Sequence, residues 1–393
     1  IMRRQIMSSM PYRLAVVASH VIQYQDPFYR RLAADAEVDL TVFFCSDEGA
    51  RTYLDRDMGT ALRWDLDLLQ GYEHRFLRNF GRGGGFLRLL NPGLLPALTR
   101  GRFDAVLFMT GWAWASAWLG FAACRMADLP IFLYGDSSYL PPPRFPRDTV
   151  LRTLFASTSA FLISGTYNRD YYRHYGAPSW RFFPMPWAID NDRFTDASRF
   201  GPGEREALRA RYDIGADDFV VVYSGKLIER KDPLTLLRAA ARMEPRPVVF
   251  VLGDGVLRES LETFAREHDV PVRFAGFVNQ TELPRHYALG DAFCLPSTFD
   301  PRATVVNEAM ACGLPVVITD RCGPAGDIVQ DGENGFVFPV SDDAALAAAL
   351  TKLAIDPALR QRMGERSRAM IATWDYGAGV TGVKEALRTT ARR

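Results

Sequence analysis

One recurrence constrains this chain more than any other feature. Short runs of β-branched and aromatic residues return from end to end, each separated from the next by a helix-length stretch. In the first half the runs are 14–18, 40–44, 105–109, 131–134, 160–164 and 181–183. In the second half they are 219–223, 248–252, 272–275, 292–295, 316–319 and 335–338. Apolar runs without polar alternation suit strands buried on both faces, which means parallel sheets covered by helices. Two such sets in 393 residues predict two doubly wound domains, each large enough for its own core. The polar, glycine-bearing stretch 190–203 marks the boundary, which gives a first domain over 1–195 and a second over 196–374. A periodic helix is expected over 204–211. Asp356-Pro357 starts another, and Ser341 is positioned to cap a helix over 342–352.

Composition narrows the class. With 48% hydrophobic residues, 24% charged and a formal net charge of +1, the chain is neither disordered, collagenous nor a disulfide-stapled miniprotein. It offers no global charge for nucleic acid. The cysteines Cys45, Cys124, Cys294, Cys312 and Cys322 are odd in number and form no C-x-x-C pair. They read as buried apolar thiols in a reducing compartment, without the spacing of a zinc site. The first ten residues hold Arg3 and Arg4 but no apolar run, and read as a ragged start rather than a signal peptide. Residues 105–124 are uncharged over nearly a membrane-spanning length. Thr110-Gly111 interrupts them, so they read as strand, turn and apolar helix.

Ligands of open α/β sheets bind beyond the carboxyl ends of the strands, so the loops there carry the chemistry. After 219–223 comes Ser224-Gly225-Lys226, then Lys231-Asp232-Pro233 and a helix. Gly225 allows close backbone approach, and the two lysines with the helix amides can form a diphosphate site; the alternative is a solvated basic loop. Gly253-Asp254-Gly255 is a tight turn without the G-x-G-x-x-G of a dinucleotide fold, which disfavours an oxidoreductase. In the stretch 295–315, Asp300 sits on a loop fixed by Pro301, and Glu308 follows two turns into a helix. A carboxylate at Glu308 can accept both hydroxyls of a ribose, while the amides of Thr304 and Val305 face a phosphate position. Spacing alone leaves open that Asp300 is a turn residue and Glu308 a surface residue.

Over 219–338 the sequence resembles the retaining GT-B glycosyltransferases of family four. The resemblance is carried by SGKL-x-x-x-K, VLGDG, VRFAGFV, TELPRHYALGDAFCLPS, a D-x7-E pair leading into EAMACGLPVVITD, and GDIVQDGENGFVFP. In the first half it is looser, resting on HVIQYQDPFYRRL, LYGDSS, AFLISGTYNRDYYRHYG and WAIDNDRF. The resemblance implies an α/β GT-B architecture: two doubly wound Rossmann-like domains facing across a cleft, with a final helix over 375–393 returning to the first. It implies that Lys226 and Lys231 hold the diphosphate of a UDP- or GDP-type sugar donor, with Gly225 and Gly253 beside it. It further implies that Glu308 holds the ribose, that Asp300 lies against the donor sugar, and that the loop 276–283, with Phe277, Val278 and Leu283, contacts the base. Three departures stand out. Asp300 replaces the family's first glutamate, Arg302-Ala303-Thr304 replaces an aromatic-Gly-Leu run, and LYGDSS lacks the histidine of many members. Asp136 and Ser137 are the nearest polar substitutes, Asp136 as a catalytic candidate. His20, Trp112 and Ser137 are the acceptor-site candidates.

The expected activity is retaining transfer of a sugar from a nucleotide diphosphate to a hydroxyl acceptor in glycan or glycoconjugate synthesis, with no metal or other cofactor. Alternatives are an epimerase or pseudo-glycosyltransferase of the same architecture, or a non-catalytic nucleotide-binding protein. Arg75, Arg78, Arg82, Arg88, Arg100 and Arg102 lie among Phe76, Phe80 and Phe86 in a stretch without acidic residues. Such a surface suits an anionic bilayer or lipid-phosphate acceptor, placing the protein in the cytoplasm at the inner membrane face; solvated arginines on ordinary helices are the other reading.

Overall fold

The structure, a computed structural model, describes residues 10–55, 60–135 and 144–391. The first nine residues, and with them most of the expected ragged start, lie outside the described residues, as do Asp136 and Ser137.

In chain order the strands of the first half are β1 (Tyr12–Ala18), β2 (Val38–Phe44), β3 (Tyr53–Asp55), β4 (Thr60–Leu62), β5 (Glu73–Phe76), β6 (Ala105–Phe108), β7 (Ile131–Leu133), β8 (Ala160–Ile163) and β9 (Phe182–Pro184). Those of the second half are β10 (Val220–Ser224), β11 (Val248–Leu252), β12 (Val272–Gly276), β13 (Ala292–Leu295), β14 (Val316–Thr319) and β15 (Gly335–Phe338). Every apolar run expected to be a strand is one. The strands that pattern did not reveal are β3, β4 and β5. Among the described residues, edge strand β5 pairs only with β2, and its Glu-His-Arg-Phe sequence is largely exposed, so it has no apolar run to reveal it.

The chain divides into two units. One comprises residues 1–53, 67–187 and 376–393; the other comprises Leu54–Leu66 and Ala188–Asp375. The segment Leu54–Leu66, expected in the first domain, therefore belongs with the second.

The first unit is built on a parallel sheet of order β5-β2-β1-β6-β7-β8-β9. All four residues of β6 are buried, and the helix Ala115–Met126 follows it, so residues 105–124 are strand, turn and helix. Among the described residues no helix is long and apolar enough to cross a membrane. The last helix, Tyr376–Thr390, packs on this unit. Gly382 lets it approach β9, since a Cβ there would lie 1.8 Å from the Pro184 carbonyl oxygen. Tyr376 donates to the Tyr24 carbonyl at 2.8 Å, and Lys384 pairs with Asp35 at 2.8 Å.

The second unit has a parallel sheet of order β12-β11-β10-β13-β14-β15, with β10, β11, β13 and β14 wholly buried. All five cysteines are buried and unbonded to one another. Asp356 caps its helix by accepting from the Leu359 amide at 2.9 Å, ahead of Pro357. Ser341 is not the cap expected of it. Asp342 accepts from the Ala345 amide at 2.8 Å, while Ser341 adopts φ 61° and donates to Asp232 at 3.3 Å. A carboxylate one residue closer to the free amides wins the cap.

In each sheet the winding reverses at one point, between β1 and β6 in the first and between β10 and β13 in the second. At such a reversal the two neighbouring strands send their following loops to opposite faces, leaving a crevice at their carboxyl ends. The loops after β10 and β13 carry Lys226, Lys231 and Asp300. Those after β1 and β6 carry His20 and Trp112.

Candidate functional site

The site of the second unit begins where β10 ends. Ser224 is buried, and the next residue, Gly225, has φ 149°. Its amide donates to the Leu252 carbonyl at 2.9 Å, and the Leu227 amide to that of Asp254 at 3.0 Å, so this loop lies against the turn after β11. Gly253 has φ 146°, and a Cβ there would lie 2.1 Å from the Gly225 carbonyl oxygen. Packing of one loop on the other thus demands a glycine at 253, whatever else binds nearby. Tyr223 donates to the Lys226 carbonyl at 2.9 Å and fixes the loop from below.

The two lysines meet different carboxylates. Lys226 pairs with Asp55 of the segment Leu54–Leu66 at 2.9 Å. Lys231 ends a 3-10 turn and pairs with Asp300, both side chains being nearly buried. Asp300 is held on its loop by its own backbone, since its amide donates to the Arg321 carbonyl at 3.2 Å and its carbonyl accepts from Gly323 at 2.8 Å. Its second carboxylate oxygen accepts from the Ala303 amide at 3.1 Å. Two non-glycine residues take left-handed backbone here: Asp232 and Ala303, both at φ 44°, each at the N-cap of a helix. Such conformations disfavour L-residues by about 1–2 kcal/mol and persist only where surroundings enforce them. Ala303 stands where the family resemblance has glycine.

Glu308 lies in the helix Thr304–Ala311 that follows, with 8% of its surface exposed. Tyr287, fully buried, donates to its carboxylate at 2.7 Å and also engages Ser224. Glu308 is therefore two hydrogen bonds from the Ser224-Gly225-Lys226 loop and is not a surface residue. Burial pushes its carboxyl up to about 7, against a smaller downward pull from the Tyr287 hydroxyl and the Arg193 charge. The Tyr287 phenol is driven upward by the same burial and by the carboxylate beside it. Thr304 and Val305, half-buried, open the helix, where backbone amides lack intrahelical acceptors.

The loop 276–283 is also tied down. Arg193 donates to the Gln280 side chain at 2.9 Å and to its carbonyl. Phe277 is 37% exposed, with its ring 6.1 Å from that of Trp64. Val278 is half-buried against the core. Leu283, which the resemblance put at the base, is 7% exposed with its side chain in the core, so only its backbone can face a ligand.

In the first unit, His20 lies just past β1 with its Nδ1 2.9 Å from the Ser19 hydroxyl. Trp112 packs against the core and accepts from the Trp118 indole at 2.8 Å through its carbonyl, so it is partly a packing residue. Asp136 and Ser137 are not among the described residues. Sequence reasoning overlooked Asp55, Tyr287 and Arg193. Tyr287 had a signal, being a phenol on the core face of a short helix within TELPRHYALGD; Asp55 had none, because 171 residues separate it from Lys226.

Lys231 and Asp300 are thus brought into contact, Glu308 is joined to the Lys226 loop through Tyr287, and strand ends and helix starts surround them. The ammonium groups and helix amides can bind an anion, and the buried carboxylate can accept from paired hydroxyls.

Two parallel Rossmann-like units of this topology define the GT-B fold. Solved structures of Anabaena Alr3699/HepE, in complex with UDP and with UDP and glucose, superpose with TM-scores of 0.75 and 0.73, each over 96% of this chain and 100% of that one, at 19% and 18% identity. Residues 204–370 match the sequence model of the family Glycosyl transferases group 1. Among named relatives, the lipopolysaccharide core biosynthesis glycosyltransferase LpsE of Rhizobium meliloti is 38% identical over 160 residues, 40% of this chain and 46% of the relative. The GDP-mannose-dependent alpha-(1-6)-phosphatidylinositol monomannoside mannosyltransferase of Mycolicibacterium smegmatis is 31% identical over 243 residues, 59% of this chain and 61% of the relative. The chain thus spans about half to three-fifths of the length of these curated relatives.

Proposed function

We propose that the protein is a retaining glycosyltransferase that moves a sugar from a nucleotide-diphosphate donor to a hydroxyl acceptor in glycolipid or polysaccharide synthesis. The observation that carries this reading is the chain of contacts in the second unit: Lys231 on Asp300, and Glu308 through Tyr287 to the loop of Lys226. In it, Glu308 accepts the ribose hydroxyls and the loop 276–283 lies at the base. Lys226, Lys231 and the amides of Thr304 and Val305 surround the diphosphate. As the bond from the anomeric carbon to the leaving oxygen breaks, negative charge grows on the diphosphate, and fixed cations and amide dipoles stabilise it. This arrangement asks for no metal. Asp300, one methylene shorter than the family's glutamate, faces the donor sugar with its position set by Lys231 and the Ala303 amide. Names of relatives that act on lipopolysaccharide and phosphatidylinositol mannoside support a lipid-linked acceptor.

The first unit favours work at the inner face of a membrane. Phe76, Phe80, Phe86 and Leu87 are 41%, 51%, 51% and 55% exposed, and the Arg78 guanidinium lies 4.7 Å from the Phe80 ring centre. Arg75 and Arg88 are paired with Glu73 and Glu48, so Arg78 and Arg82 are the better candidates for lipid phosphate.

Calorimetric titration of wild type, Lys231→Ala and Glu308→Gln with UDP and GDP tests the donor reading. One of the two nucleotides binds wild type, and both substitutions weaken it at least tenfold. Equal affinity in all three proteins would refute it. Incubation with donor alone separates transfer from epimerisation, since an epimerase releases a new sugar isomer without an acceptor. Flotation with phosphatidylglycerol vesicles, set against phosphatidylcholine, tests the membrane contact.

A further inference from the structure

The segment Leu54–Leu66 comes from the first half of the sequence, yet it belongs with the second unit and meets that unit at the candidate site. Contacts at four of its residues hold it. The Asp55 carboxylate lies 2.9 Å from the Lys226 ammonium, Asp55 being nearly buried and Lys226 about one-third exposed. The Asn279 side chain donates to the Arg63 carbonyl at 2.7 Å, and Thr281 donates through its amide and hydroxyl to Asp65. The Trp64 ring sits against Phe277. Lys226, Phe277, Asn279 and Thr281 all lie on the two loops that the proposed function assigns to diphosphate and base.

We propose that the described parts of this segment, residues 54–55 and 60–66, act as an acidic strap beside the donor site, with Asp55 an internal competitor for the Lys226 ammonium that a donor diphosphate needs. The inference rests on the donor reading above and deepens it. A carboxylate and a diphosphate are both anions, so when both approach Lys226 they repel, and the entering nucleotide displaces Asp55. The attachments at Arg63, Trp64 and Asp65 lie further along the segment and do not involve Lys226. Release of Asp55 therefore leaves the strap tethered beside the base loop. Nucleoside without phosphate does not compete with Asp55 and binds without displacing it. The strap thus sets the affinity for the diphosphate part of the donor selectively.

The test is calorimetric titration of Asp55→Asn and Asp55→Ala with UDP, GDP, uridine and guanosine, each variant first checked for an unchanged melting profile. The Asn variant keeps shape and loses charge, so it covers the case in which the Ala variant folds poorly. A partly exposed ion pair contributes modestly, so both variants are expected to bind the preferred diphosphate about five- to tenfold tighter, with nucleoside affinity unchanged. In a Lys226→Ala background, Asp55→Asn is expected to give no gain. Unchanged or weaker diphosphate binding in both Asp55 variants overturns the strap, as does an equal gain for the nucleoside or a gain that survives Lys226→Ala. The titrations of Lys231→Ala and Glu308→Gln tell this failure from that of the donor reading. If those substitutions weaken nucleotide binding, the site stands and the strap alone falls; if they do not, both fall.

Discussion

Glu308→Gln should make the protein more stable and less able to bind nucleotide, with the stability gain depending on pH. Burial raises the Glu308 carboxyl from its ordinary 4.5 to about 7. At about 1.4 kcal/mol per unit, that disfavours the ionised form in the folded protein by about 3 kcal/mol. The sign follows from proton linkage. Between pH 4.5 and 7 the folded state binds a proton that the unfolded state has released, so wild type loses stability as pH rises through that window. Glutamine carries no charge and can still accept from the Tyr287 hydroxyl. At about pH 8 the variant should therefore exceed wild type by roughly 3 kcal/mol, and at about pH 5 by less than roughly 1 kcal/mol. Urea denaturation at the two pH values measures this difference. Nucleotide affinity should fall in the opposite sense, about 30-fold, because charge-assisted hydrogen bonds from two hydroxyls become neutral ones. A stability gap that is the same at both pH values, together with unchanged nucleotide affinity, would show that burial does not raise the Glu308 carboxyl and that it holds no nucleotide, and would refute this reasoning.

Lys231→Ala leaves Asp300 buried without its cation and should destabilise the protein by about 3 kcal/mol or more. Adding Asp300→Asn should recover much of that stability in a melting experiment but none of the nucleotide affinity. Ala303→Gly relieves left-handed backbone and should stabilise by about 1 kcal/mol in urea titration, with nucleotide binding retained. Gly253→Ala forces a methyl into the Gly225 carbonyl, so a loss of a few kcal/mol and a drop in nucleotide affinity are expected, read by melting and calorimetry. Tyr287→Phe removes a donor to the Glu308 carboxylate, so the pH midpoint for nucleotide binding should move upward; an unmoved midpoint would separate the two residues.

The strands that build both sheets were legible because a strand buried on both faces is apolar over nearly all of its buried length, as in β1, β6, β10, β11, β13 and β14. Lys231 and Asp300 were legible as candidates because each follows a strand end, although their pairing was not. Strand β5 was hidden by exposure, and the Ser341 cap was misplaced because propensity does not say which of two neighbouring oxygens reaches the amide. Leu283 sat in the right loop, but a loop range does not say which of its side chains turns to the core.

The chain by itself determined the layered architecture, the two sheets and the loops that carry chemistry. These follow from hydrophobic periodicity and from the few residue types that suit strand ends and helix starts. Tertiary structure alone decided that Leu54–Leu66 joins the second unit, that Asp55 holds Lys226, and that Tyr287 bridges Glu308 to Ser224. It also decided the protonation of Glu308, because a carboxyl's proton affinity depends on how completely the fold removes water from it, and sequence spacing carries no measure of that.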